Sequence, residues 1–178
     1  MNRRATSQEG QRTDVSLKRG RLTHTPVTTL PVTRRPLHGG ILLVEDREDD
    51  VVFLKRSLRK AGISMAVRVV QDGALALAYL QGDPPFSNRK KFPIPAIVFL
   101  DLYLPKKNGF EVLRWLRFQP QFKDIFVAVL TGAGNIDDIA HAYRLGANSF
   151  LTKPCRPEDI GNLATGFPSY WSVSLQPA

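Results

Sequence analysis

Five polar side chains stand at the ends of short apolar runs that lie far apart in the chain. Glu45 and Asp46 follow Ile41-Leu42-Leu43-Val44, and Asp101 closes Ile97-Val98-Phe99-Leu100. Thr131 closes Phe126–Leu130, and Lys153 follows Ser149-Phe150-Leu151-Thr152. Brought together, three carboxylates would repel one another and raise each other's pKa unless a cation were present. Mg²⁺ suits such a set, being a hard ion usually held by one or two carboxylates with waters and phosphate oxygens. A carboxylate beside Mg²⁺ can attack a phosphoryl group in line and form an acyl phosphate. The ion and the Lys153 ammonium would neutralise the transferring oxygens, and the Thr131 hydroxyl can donate to one of them. Gly132, without a side chain, would leave the entrance open.

These residues can act together only if the fold gathers the ends of the apolar runs. The runs at 41–44, 97–100 and 126–130 have the length and continuous apolar character of strands buried on both faces. Strands are also expected at Ala66–Val70 and Ser149–Thr152. Between them lie helical patterns. From Asp49 to Lys60, Val52, Phe53, Leu54 and Leu58 are assigned to one side and Lys55, Arg56, Arg59 and Lys60 to the other, with Gly62 as the stop. Helices follow at about Gly73–Leu80, at Phe110–Phe118 ended by Pro120, and at Ile136–Leu145 capped by Gly146. A weaker one begins near Pro157, where Gly161, Gly166 and Pro168 count against it. A loop rich in Pro, Asn and Lys fills Gly82–Pro95. Strands alternating with helices imply an α/β, doubly wound five-stranded parallel sheet with helices on both faces. Ligands of such sheets bind beyond the carboxyl ends of the strands, where all five polar residues would converge.

The segments ILLVEDREDD, FLDLYLPKKNGFEVL, VLTGAG and FLTKP resemble, in order and spacing, the motifs of response-regulator receivers of two-component systems, over roughly residues 40–165. The resemblance implies the flavodoxin-like receiver fold, with Asp101 as phosphoacceptor and Glu45 and Asp46 as acidic metal residues. It also implies a metal ligand from the Tyr103 carbonyl, phosphate binding by Lys153, and switch roles for Thr131 and Phe150. A sensor histidine kinase would donate the phosphoryl group. The long loop before the third strand, PKKNG and Trp171 are most similar to stand-alone regulators paired with bacterial phytochromes. The glycines and proline of the last helix depart from the pattern and put the family's helix-mediated homodimer in question.

Composition sets the remaining bounds. Of the net charge of +9, residues 1–40 carry +6, from eight Lys/Arg against two acids. The rest, with seventeen against fourteen, is nearly balanced. The basic segment has no apolar periodicity and is expected to be a disordered tail, with a receiver domain over 41–167 and a C-terminal extension over 168–178. No helix-turn-helix or RNA-binding signature accompanies the charge, so nucleic acid is not the expected partner. No apolar run reaches membrane-spanning length, no secretory signal follows the basic start, and the single cysteine, Cys155, fits a cytoplasmic protein. A haloacid-type phosphatase would need a second Asp shortly after the nucleophile, where Tyr103 stands. The expectation is therefore a signalling module rather than an enzyme, with no output domain after residue 178 and an unidentified downstream protein. The alternative is a pseudo-receiver that binds partners without phosphorylation.

Several of these residues also have plainer readings. A strand-end acid can be a helix cap. Asp49 and Asp50 suit the first turn of a helix, complementing its dipole. Lys153-Pro154 can be an ordinary turn, Cys155 a small structural thiol, and Arg89-Lys90-Lys91 a solvated loop. Gly132-Ala133-Gly134 lacks the spacing of a nucleotide loop. Tyr170 and Trp171 suit either an exposed partner patch or a fold back over the core.

Overall fold

The computed structural model describes residues 39–132 and 136–171, so the basic tail expected over 1–40 lies almost wholly outside the described residues. Five strands, β1 (Ile41–Val44), β2 (Val67–Val70), β3 (Ile97–Asp101), β4 (Phe126–Thr131) and β5 (Ser149–Thr152), pair in parallel in the order 2-1-3-4-5. The helices between and after them are α1 (Glu48–Lys60), α2 (Gly73–Gln81), α3 (Gly109–Phe118), α4 (Ile136–Arg144) and α5 (Pro157–Gly166). Short 3₁₀ turns occupy Pro120–Phe122 and Pro168–Tyr170.

Alternation along the inner strands divides the apolar residues between two faces. Leu42, Val44, Val98, Leu100, Val127 and Val129 point to a core shared with Ala76 and Leu80 of α2, Val112, Leu113 and Leu116 of α3, and Ala142 of α4. Ile41, Leu43, Ile97, Phe99, Phe126, Ala128 and Leu130 point the other way, to Leu54 and Leu58 of α1 and Ile160, Leu163 and Ala164 of α5. The three central strands are buried throughout, which explains their unbroken apolar runs.

The amphipathic assignment for α1 needs correction. Leu54 and Leu58 face the core, but Val52 and Phe53 are exposed. At 100° per residue, Val52 stands on nearly the opposite side of the helix from Leu54. α5 forms in spite of Gly161, because Ile160, Leu163 and Ala164 bury against the sheet and offset its poor propensity.

The loop from Gly82 to Pro95 is also more than a solvated link. Phe86 and Phe92 pack on Tyr79 with ring centroids 5.2 and 6.0 Å away. Arg89, expected in solvent, reaches back instead to the last turn of α2, donating to the carbonyls of Tyr79 at 2.7 Å and Leu80 at 2.5 Å. Its guanidinium satisfies helix-end acceptors that a backbone partner would otherwise take. Lys90 and Lys91 are exposed, as expected.

A second arginine fastens the same pole of the sheet, where helices end and strands begin. Arg117, near the end of α3, donates to the Gly146 carbonyl at 2.8 Å, the Ile125 carbonyl at 3.0 Å and the Asn148 side chain at 2.7 Å. Asn148 in turn accepts from the Val127 N–H. Gly146 takes a φ of 96°, a left-handed value suited to glycine at a helix end. Trp171 folds back over the core: it is buried, with its ring 6.1 Å from Phe99 and 6.5 Å from Phe126. Tyr170 packs beside it on Phe126 at 5.1 Å. Of the two readings of this pair, the cover over the core describes Trp171.

Candidate functional site

β1, β3 and β4 run side by side in register, so their carboxyl ends deliver Glu45, Asp101 and Thr131 to one rim of the sheet. Lys153 enters the same rim from the end of β5. Its ammonium lies 2.6 Å from Asp101 Oδ2 and 2.5 Å from Glu45 Oε2. The Glu45 contact falls outside hydrogen-bonding geometry, so the partner of that oxygen is the charge itself. Glu45 Oε1 accepts from the Arg47 N–H at 3.2 Å, and Asp101 Oδ1 accepts from the Tyr103 N–H at 3.0 Å. Neither Glu45 nor Asp46 caps α1, whose N-cap is Arg47. One ligand oxygen each from Glu45, Asp46 and Asp101 can come within 4.8 Å of the others, with Asp46 exposed and the other two buried.

The electrostatics follow from burial. Removal from water pushes the Glu45 pKa up, the nearby Asp101 charge adds to this, and Lys153 only partly offsets it. For Lys153, burial works against the ammonium, but its bond to Asp101 and its charge contacts with Asp101 and Glu45 prevail and raise its pKa. Lys153 is therefore a fixed positive charge in the pocket. An acidic trio held in check by a lysine has the make-up of a divalent-cation site, the carboxylates supplying hard oxygen ligands.

The neighbouring residues shape the entrance. A Cβ on Gly132 would meet none of the described residues within 4 Å. Thr131 is buried and its hydroxyl donates to the Gly132 carbonyl at 3.1 Å. Phe150 lies away from the pocket, exposed, edge-on to Tyr143 at 6.2 Å. The Tyr103 hydroxyl hydrogen-bonds to Asp138 of α4. On the far side of Asp101, Gly109 allows the loop after β3 to close, since a Cβ there would lie 2.1 Å from the Asp101 carbonyl oxygen. Cys155 is buried and its thiol pKa is pushed up to about 12, mainly by burial, which fits a structural thiol.

Two acidic residues make contacts that the sequence reading did not anticipate. Asp50, assigned only to the helix dipole, lies with Oδ2 3.3 Å from the Lys153 ammonium. Asp72 caps α2 by accepting from the Leu75 N–H at 2.7 Å and binds Lys106 of the PKKNG stretch at 2.6 Å. Asp72 precedes a helical run as an N-cap should, so the cap was findable. Lys106, 34 residues away, gave no signal.

A 2-1-3-4-5 parallel sheet with an acidic trio and a lysine at its carboxyl rim defines a receiver-type signalling domain. The response regulator receiver domain family matches residues 41–165, and the chain belongs to that family. It is 37% identical over 131 residues to the response regulator Rcp1 of Synechocystis, covering 74% of this chain and 87% of Rcp1. A structure of the Mn²⁺-bound form of Rcp1 superposes with a TM-score of 0.61 at 35% identity, over 78% of this chain and 98% of that one. The bacteriophytochrome response regulator RtBRR gives 0.68 at 36% identity, over 78% and 82% of the two chains. The phosphorylated cyanobacterial phytochrome response regulator RcpA gives 0.62 at 34% identity, over 79% and 99%. The resemblance to regulators of phytochromes is thus borne out. Among the described residues, no helix is long and apolar enough to cross a membrane.

Proposed function

We propose that the protein is a phosphoacceptor response regulator that takes a phosphoryl group on Asp101 from a sensor histidine kinase, a bacteriophytochrome by its likeness to RtBRR and RcpA. The observation that supports this best is the Lys153 ammonium held between Asp101 and Glu45, with Asp46 in reach of the same centre. An Asp101 oxygen forms a bond to phosphorus as the phosphorus–nitrogen bond of a phosphohistidine breaks. The departing imidazole nitrogen keeps the electron pair, and the product is an acyl phosphate. Lys153 neutralises phosphoryl oxygens, and the Thr131 hydroxyl turns from the Gly132 carbonyl to donate to one of them. Mg²⁺ held by Glu45, Asp46, Asp101 and the Tyr103 carbonyl supplies further charge neutralisation when bound.

Output is a change of surface. Movement of Thr131 into the pocket leaves space that Phe150 can fill by leaving Tyr143, which alters the face formed by α4 and β5. That face is read by a downstream protein or a second copy of the chain. The protein works in the cytoplasm as a signalling module rather than an enzyme. Incubation with a small phosphodonor and Mg²⁺ should add one phosphoryl group by intact mass. Asp101→Asn should abolish the addition while leaving the circular dichroism spectrum unchanged; undiminished labelling of that variant refutes the assignment.

A further inference from the structure

Three carboxylates grip Lys153, and they differ in what else they must do. Glu45 and Asp101 also belong to the acidic trio able to hold a divalent ion, whereas Asp50 stands outside it. An ion held by that trio would compete with Lys153 for oxygens of Glu45 and Asp101, and phosphorylation would convert the Asp101 carboxylate into an acyl phosphate. Asp50 is the partner that neither event engages. It projects from the first turn of α1, a helix anchored on the sheet through Leu54 and Leu58. Arg47 Nε lies 3.7 Å from the same Asp50 oxygen, so Lys153 and Arg47 both converge on it. The free space shared by Glu45, Asp50, Leu54, Lys153 and Cys155 is about 10 Å³. That is scarcely room for one water.

We propose that Asp50 is a positioning residue: it holds the Lys153 ammonium at the mouth of the pocket, aimed at phosphoryl oxygens, when the metal has claimed Glu45 and Asp101. The inference rests on the phosphoacceptor reading of the site. It predicts an effect opposite in sign to simple electrostatics. A carboxylate this near the pocket repels an anion, so removing its charge should tighten anion binding if the field were all that mattered. If Asp50 orients Lys153, removing it should weaken binding instead.

The test is calorimetric titration with beryllofluoride, an anionic phosphoryl analogue, at saturating Mg²⁺, with Mg²⁺ affinity also measured alone. Asp50→Asn, nearly isosteric, should weaken beryllofluoride binding by about tenfold, the scale of one charge-assisted hydrogen bond, and leave Mg²⁺ affinity little changed. Asp50→Glu keeps the carboxylate and should recover part of the loss. Unchanged or tighter binding by Asp50→Asn overturns the proposal. So does an Asp50→Glu variant, folded by circular dichroism, that binds as weakly as the Asn variant. Failure of the unsubstituted protein to bind beryllofluoride would count against the phosphoacceptor reading itself.

Discussion

Glu45 shows what a buried metal-type carboxylate costs the fold. Its raised pKa means the folded protein holds that proton more tightly than the unfolded chain does. The group therefore favours folding most at pH below its unfolded value. Its contribution declines as pH rises through that value to the raised folded one. At neutral pH and without divalent ions, Glu45→Gln should raise the stability measured by urea denaturation. The gain should disappear in acid, and saturating Mg²⁺ should narrow it, since the variant has lost a ligand. A variant less stable than the original at neutral pH would show that the Lys153 contact outweighs burial. Glu45, Asp101, Thr131 and Lys153 were legible in the sequence because each ends an apolar run, and a parallel sheet turns run ends into neighbours. Asp50 was not, because an acid in a first helical turn already has a sufficient local explanation. Its approach to Lys153 depends on how α1 docks.

At the scale of elements, α2 is secured at both ends by side chains from elsewhere. Asp72 caps its start while bound to Lys106, whose φ of 64° places it in the left-handed region, and Arg89 takes carbonyls of its last turn. Burial opposes the Asp72 charge, but the bonds from Lys106 and the Leu75 N–H prevail and hold its pKa below the usual carboxylate value. The stabilisation is complete above the unfolded pKa and is lost as pH falls through the lowered folded one. Asp72→Ala should cost about 1 kcal/mol at neutral pH, from the lost cap, and less as pH approaches 3, by denaturant titration across that range. An equal loss at every pH would mean the ionised carboxylate is not what matters. The helices and strands were legible to within a residue or two because apolar spacing and capping glycines are local signals. The work of the 82–95 loop was hidden, since an Arg-Lys-Lys sequence looks alike whether it is solvated or, like Arg89, turned back onto a helix end.

For the whole molecule, the sheet is a wall between two cores, and Trp171 closes the one under α1 and α5. Trp171→Ala should cost about 3–5 kcal/mol, as for large aromatic truncations in cores, lowering the urea midpoint without changing the isolated spectrum of secondary structure. A loss below about 1 kcal/mol would identify the residue as a surface group. Arg117 has a different reach. By bonding the Gly146 carbonyl and Asn148 side chain, it pins the turn between α4 and β5 to the end of α3, at the pole opposite Asp101. The nine residues of α4 therefore form a lever about 13 Å long, with its fulcrum at the Arg117 bracket and its far end in the turn of Ile136 and Asp138, where the Tyr103 hydroxyl holds the Asp138 carboxylate. A tilt of a few degrees, too small to disturb the bracket, moves that far end by roughly an ångström, so the end of the helix nearest the chemistry has the greatest travel.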